Sequence, residues 1–174
     1  MKQPAVFLDR DGTLIEEVNY LSRVKDLKLF PYTAKAIRLL KDHGFLVIVV
    51  TNQSGIGRGE FEETAMHSIH DQIQVELSGA IDGFYFCPHL PDAGCKCRKP
   101  GTGMIDEACG DFEVEISKSW LVGDKEIDVG AGQNAQMSTI LVRTGYGNEH
   151  ANSLRVRPEY IEADLLAAVY RIIG

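Results

Sequence analysis

Short apolar runs recur along the chain at wide spacing: AVFL (5–8), FLVIVV (45–50), WLV (120–122) and TILV (139–142). A weaker run, FYF (84–86), falls between the second and third. These runs are rich in β-branched and aromatic residues and bounded mostly by Gly, Asp or Asn, the pattern of strands buried on both faces. Helical periodicity fills the gaps between them. Ala34, Ile37, Leu40 and Lys41 lie near a 3.6-residue period that Gly44 closes in a C-cap position. Met66, Ile69, Ile73 and Leu77 make a second apolar stripe. Further helices are predicted over Met104–Ala108, Val129–Ala135 and Asp164–Ile173, the last with Asp164 as its N-cap. Strands alternating with helices predict an α/β fold, a Rossmann-like three-layer sandwich around a central parallel sheet. No repeat, low-complexity tract or linker interrupts the pattern, so residues 1–174 are expected to form one domain.

Composition narrows the classes of partner. Hydrophobic residues at 44% and charged residues at 25% suit a soluble chain. A net charge of -7 argues against a nucleic-acid coat, which needs a basic surface. It leaves room for a small anionic substrate, since a metal and a few cations can reverse the field inside one cleft. The opening MKQPAVFLDRDG lacks the features of a secretory signal, and Phe45–Val50 is too short to span a bilayer. A cytoplasmic protein is expected, without nucleic-acid or membrane partners and with a monomer as the default state. Three of the four cysteines crowd into one loop with a histidine, which in that compartment suggests thiols or metal ligands.

Polar residues then gather where parallel sheets bind ligands. Asp9 and Asp11 follow the first strand, Thr51 and Asn52 the second, and Gly123 and Asp124 the WLV strand. All three turns lie at strand C-terminal ends, which form the crevice of open α/β sheets. Cleaving a phosphate monoester sets an anionic nucleophile against a dianion. The site therefore needs a nucleophile, a divalent metal, a fixed cation, hydrogen-bond donors and an acid for the leaving oxygen. Asp9 can serve as the nucleophile and Asp11 as general acid and base, with Gly12 permitting the sharp turn that aims both into one pocket. Thr51 and Asn52 offer donors to phosphoryl oxygens, and the glycines of QSGIGRG let backbone N–H groups approach. Lys99, in CRKP, supplies the fixed cation, and Asp124, in LVGDKEID, an oxygen ligand for Mg²⁺. Asp128 could hold a metal-bound water, orient Lys125, or sit in the first helical turn for its dipole. Each feature alone has a plainer reading, an Asx turn, a strand-to-loop turn or a solvated lysine; their shared edge favours a site.

DRDGT, the VVTN strand end, Lys99 and GDKEID, in that order, resemble the four motifs of the haloacid dehalogenase superfamily of phosphatases, from Val6 to Gly145. The resemblance implies an aspartyl-phosphate intermediate on Asp9. It also implies Mg²⁺ held by Asp9, the Asp11 backbone carbonyl and Asp124. Many members carry a cap domain, but neither gap between motifs is long enough here, so a capless fold is expected. Specificity then falls to loops, with Glu17, Asn19, Tyr20, Asn52, Gln53, Ser54, Arg98 and Lys125 as candidate substrate-binding residues. Cys87, His89, Cys95 and Cys97 offer three thiolates and an imidazole, a closed structural Zn²⁺ set in loop 87–97. Cys109 is read as an inert core thiol.

Two zinc-loop branches of the superfamily are close. One removes the C7 phosphate of a heptose 1,7-bisphosphate; the other cleaves histidinol phosphate. TNQSGIGRG, KPGTGM and LVRTG favour the first, a small phosphorylated sugar, for which Arg98, Arg58 and Arg143 are candidate contacts to a second phosphate. Against a nucleic-acid 3′-phosphatase stands the acidic balance. Against a phospho-accepting receiver domain stand the intact DxDGT and the cysteine loop.

Overall fold

In the AVFL run every side chain is buried, yet neighbours enter different cores, because successive strand residues point to opposite faces. A computed structural model describes residues 1–174, and this alternation organises all of it. Val6 and Leu8 of β1 (Ala5–Leu8) join Val47 and Val49 of β2 (Leu46–Asn52) in one core. Ala5 and Phe7 join Ile48 and Val50 in the other. The first core takes Ala36, Ile37 and Leu40 of α1 (Thr33–Asp42). The second core lies on the opposite face of these strands. The short α2 (Ser54–Gly57) and α3 (Glu63–Glu76) lead to β3 (Gly83–Cys87); Ile69 and Ile73 of α3 enter the first core. The second core takes Met104, Ile105 and Ala108 of α4 (Gly103–Asp111). After β4 (Trp120–Gly123), α5 (Glu126–Asn134) adds Ala131 to that core. β5 (Ser138–Val142), α6 (Gly147–Ala151), β6 (Tyr160–Glu162) and α7 (Leu165–Ile173) complete the chain, with Leu165, Ala168 and Val169 of α7 in the first core.

All six strands are parallel, in the order β3-β2-β1-β4-β5-β6. The chain winds outward from β1 through β2 to β3, then crosses to β4 on the other side of β1. The strand order thus reverses between β1 and β4, the place where such sheets open a ligand crevice. The β1–β2 connection holds one 3₁₀ turn (Val24–Asp26) and α1, and the β2–β3 connection holds α2 and α3. No helix is long and apolar enough to cross a membrane.

The α/β architecture with a parallel sheet agrees with the sequence pattern, with local differences. On α1 the buried face is Thr33, Ala36, Ile37 and Leu40, whereas Ala34 is exposed. Gly44 takes a positive φ of 80° one residue past the cap His43, as a helix stop requires. Asp164 caps α7 by accepting the Ala167 N–H at 2.9 Å. α5 begins at Glu126, a turn before the predicted start at Val129. Cys109 is only partly buried, packed at the margin of the second core.

Candidate active site

Four turns from distant parts of the chain close over the junction of β1 and β4. The Asp9 N–H still bonds Val122 O at 3.0 Å, so the first carboxylate is fixed by the sheet itself. Gly12 has a φ of 84°, and any side chain there would run into the carboxylate of Asp124. Gly145, at φ 54°, presses on the same carboxylate from the β5–α6 loop. The Gly12 carbonyl accepts the Thr144 hydroxyl at 2.6 Å, tying the two turns together.

Lys99 comes from the β3–α4 loop and is buried, as are Asp9, Asp124 and Asp128. Its Nζ donates to Asp9 Oδ1 and to Val50 O, both at 2.8 Å. It also stands 2.7 Å from Asp128 Oδ1 as an ion pair, although that oxygen makes no aligned hydrogen bond. The Lys99 backbone is held in turn by Asn52, whose Oδ1 accepts its N–H at 3.0 Å and whose Nδ2 donates to its carbonyl at 3.3 Å. Asp128 fixes the next turn through its Oδ2, which accepts the Lys125 N–H at 3.0 Å.

Burial pushes the Asp9 carboxyl up, but the charges of Lys99 and Lys125 outweigh it and hold the group below the usual carboxylate range. Burial likewise pushes Lys99 down, and Asp128 and Asp9 more than reverse this, so it stays charged. Asp124 has no ion-paired cation, and the charge of Lys125 opposes its burial only in part. Burial, with Asp9 and Asp128 nearby, raises it to about 9. Its Oδ2 accepts the Tyr146 N–H at 2.8 Å, while its Oδ1 is buried without any hydrogen-bond partner. Carboxylate oxygens of Asp9, Asp124 and Asp128 all lie within 4.8 Å of one another. An orphaned buried oxygen in an all-oxygen, anionic cluster fits a hard divalent cation.

Asp11 lies at the edge of this cluster. Arg10 grips it, and Gln53 Nε2 donates to its Oδ2 at 3.0 Å and to Thr51 Oγ1 at 2.8 Å. Beyond it opens a pocket of about 140 Å³ lined by Glu17, Asn19, Tyr20, Ser54, Lys125 and Tyr146, among others. Lys125 Nζ is held 3.8 Å from Glu17 Oε2 and 4.8 Å from the centre of the Tyr146 ring. Wider hollows lie along β6 and beside β3, away from the carboxylates; the chemistry, not cavity size, locates the site.

The structure therefore brings together Asp9, Asp11, Thr51, Lys99, Asp124 and the loop residues Glu17, Asn19, Tyr20, Gln53, Ser54 and Lys125. It places others differently. Asn52 reaches the pocket, but both ends of its amide are engaged by the Lys99 backbone. Arg98 lines an adjoining hollow with Gly94, Cys95 and Ile127, its Nη1 3.4 Å from His89 O. Arg58 is exposed past α2, and Arg143 reaches Asn148 at 3.3 Å. Buried Arg10, buried His70 and the Tyr146 wall escaped the sequence reading.

A second cluster stands beside the first. The Cys87, Cys95 and Cys97 sulfurs and His89 Nδ1 face one another at 2.8–3.5 Å, with all the thiols unbridged. These separations approach the edge of a tetrahedron, about 3.8 Å for thiolates around one ion. The four residues could hold a metal ion.

Comparison with known proteins agrees with this geometry. The HAD-hydrolase-like family matches residues 96–168. D-glycero-D-manno-heptose-1,7-bisphosphate 7-phosphatase of Thermosynechococcus vestitus is 40% identical, over 97% of this chain and 95% of that protein. D-glycero-beta-D-manno-heptose-1,7-bisphosphate 7-phosphatase of Escherichia coli is 38% identical, over 82% of this chain and 80% of that protein. Among solved structures, the D,D-heptose 1,7-bisphosphate phosphatase of B. bronchiseptica, complexed with magnesium and phosphate, superposes with a TM-score of 0.91 at 29% identity. It covers 98% of each chain.

Proposed function

The chain belongs to the haloacid dehalogenase-like phosphatases, and from that premise we propose that it removes the C7 phosphate of D-glycero-D-manno-heptose 1,7-bisphosphate. The observation that carries the reading is the buried group at the sheet's switch point. Asp9 is kept ionised by Lys99, beside a buried Asp124 oxygen that has no hydrogen-bond partner.

Asp9, Asp124 and the Asp11 backbone carbonyl would hold Mg²⁺, which supplies the positive charge that lets a carboxylate approach a phosphate dianion. An Asp9 oxygen attacks phosphorus, and the bond to the sugar oxygen breaks. Asp11 gives its proton to that departing oxygen, so the sugar leaves as a neutral alcohol. Asp11, now anionic, takes a proton from a water that attacks the acyl phosphate, releasing phosphate and restoring Asp9. Lys99 Nζ, bonded to Asp9, and the Thr51 hydroxyl at the end of β2 would stabilise the transferring oxygens. Gln53 ties Thr51 to Asp11 and so sets their spacing.

Glu17, Asn19, Tyr20, Ser54 and Lys125 would read the sugar, because they line the pocket into which Asp11 faces. With only short elements between β1, β2 and β3, we read residues 1–174 as one capless domain whose loops carry specificity. Arg98 would reach a second phosphate only by leaving the His89 carbonyl. Steady-state phosphate release with Mg²⁺ over heptose 1,7-bisphosphate, heptose 1-phosphate and histidinol phosphate tests the reading. The bisphosphate should give the highest kcat/KM and leave the 1-phosphate intact. Faster turnover of histidinol phosphate would overturn the assignment.

The cysteine cluster suits a structural Zn²⁺, which would brace the loop that delivers Arg98 and Lys99. Cys95→Ser should lower bound zinc from one per chain to well under half and reduce both thermal stability and kcat. Unchanged zinc content, measured by metal analysis after dialysis, would refute this ligand set.

A further inference from the structure

Between the DxD turn and α3, two buried residues given no part in the chemistry above, Arg10 and His70, form a polar chain that ends on Asp11. Arg10 is 1% exposed and His70 5% exposed. Arg10 Nε donates to Asp11 Oδ2 at 3.0 Å and Nη2 to Asp11 Oδ1 at 3.1 Å, a two-pronged grip on both oxygens of one carboxylate. The remaining nitrogen, Nη1, lies 3.2 Å from His70 Nε2. A guanidinium is always charged and can only donate, so Nε2 must be the acceptor. The ring proton then sits on Nδ1 and the imidazole is neutral. Burial and the Arg10 charge act in the same direction, lowering the pKa of His70 to about 3. The ring itself cannot drift. It stacks on Phe84 at 4.5 Å and 18°, with His67 edge-on at 6.4 Å.

We propose that His70 is a positioning residue for the general acid and base: by accepting from Arg10 Nη1, it sets the guanidinium plane that aligns the Asp11 carboxylate. The inference rests on the role given to Asp11 above. Asp11 sits on a turn past the end of β1, and its side chain is 16% exposed. Left alone, it could rotate about both side-chain bonds. Arg10 supplies two of its hydrogen bonds and Gln53 a third. Arg10 can fix Asp11 only if Arg10 is itself fixed, and His70 is the acceptor at its far end. Proton transfer demands that the donor stand in reach and in line with the leaving oxygen, so a small rotation here weakens catalysis without weakening binding.

The test compares four variants, with folding followed by the thermal midpoint of each. His70→Leu and His70→Met fill the space but cannot accept; His70→Gln places an amide oxygen near Nε2. Ile73→Ala disturbs the packing of α3 and keeps both the acceptor and the Phe84 ring it stacks on. The two acceptor-less variants should lose about tenfold in kcat with KM and Mg²⁺ activation unchanged. His70→Gln should stay within about twofold of the parent. Ile73→Ala should lower the midpoint and leave kcat alone. In an Asp11→Asn background, assayed on an aryl phosphate at high enzyme concentration, His70→Leu should cost nothing further, since the residue it positions is gone. Parental kcat in both acceptor-less variants, no rescue by His70→Gln, or an undiminished loss in the Asp11→Asn background would each overturn the proposal. Parental turnover in Asp11→Asn alone would instead overturn the role of Asp11. The two failures are therefore distinguishable.

Discussion

Asp9→Asn is expected to lower turnover by at least about 10⁴-fold while leaving the fold intact. The amide keeps the volume and still offers an oxygen to Lys99 Nζ, which also retains Val50 O and Asp128. What disappears is the negative charge that attacks phosphorus. It also leaves a crowded site: Asp9 is one of three carboxylates within 4.8 Å of one another, and its charge is among the causes that raise Asp124. Relief of that repulsion offsets the lost ion pair, so the unfolding midpoint without metal should fall by no more than a few degrees. Phosphate release and thermal melts on one preparation check both halves. Residual activity above about one-hundredth of the parent would remove Asp9 from the nucleophile's place.

Lys99→Met should damage both activity and stability. Lys99 is 3% exposed and its ammonium lies between Asp9 and Asp128, both buried. Methionine matches the stem and deletes the charge. Leaving buried carboxylates without their cation costs about 3–5 kcal/mol. Burial would then act on Asp9 with only Lys125 opposing it strongly, and its carboxyl would rise toward the neutral, poorly nucleophilic form. Turnover should drop by more than about 10³-fold. Urea titrations read the rest: the variant should unfold at lower urea than the parent without metal, and millimolar Mg²⁺ should narrow the gap by replacing part of the lost charge. An unchanged urea midpoint in the metal-free variant would contradict the buried-pair account.

What could be read in the residues themselves was whatever local pattern controls. β1, β2, β4 and β5 announce themselves because a strand buried on both faces must be apolar throughout. β6 does not: Tyr160 and Ile161 are 40% and 38% exposed, and an edge strand that short has no run to detect. The helix stripes at Ile37 and Ile69 were equally plain. His70 occupies the same face as Met66 and Ile73, at the i+4 position from Met66, and its spacing should have marked it as buried. Its polarity hid it. The motif acids were legible because their chemistry needs those residue types at strand ends. The duty of Asn52 was not, since its amide meets the Lys99 backbone only after the β3–α4 loop folds back over β2. No spacing rule encodes a contact made across 47 residues.

The position of β1 has a consequence for synthesis. It is made before the other five strands, yet it ends in the middle of the sheet, between β2 and β4. Val6 can pair with Val47 early, but its other neighbour, Trp120, is translated much later. Throughout that interval the nascent chain holds one flank of its central strand open, the exposed state that chaperones guard. Lys99 is made before Asp124 and Asp128, so the counter-charge for Asp9 is synthesised before the two carboxylates that crowd it.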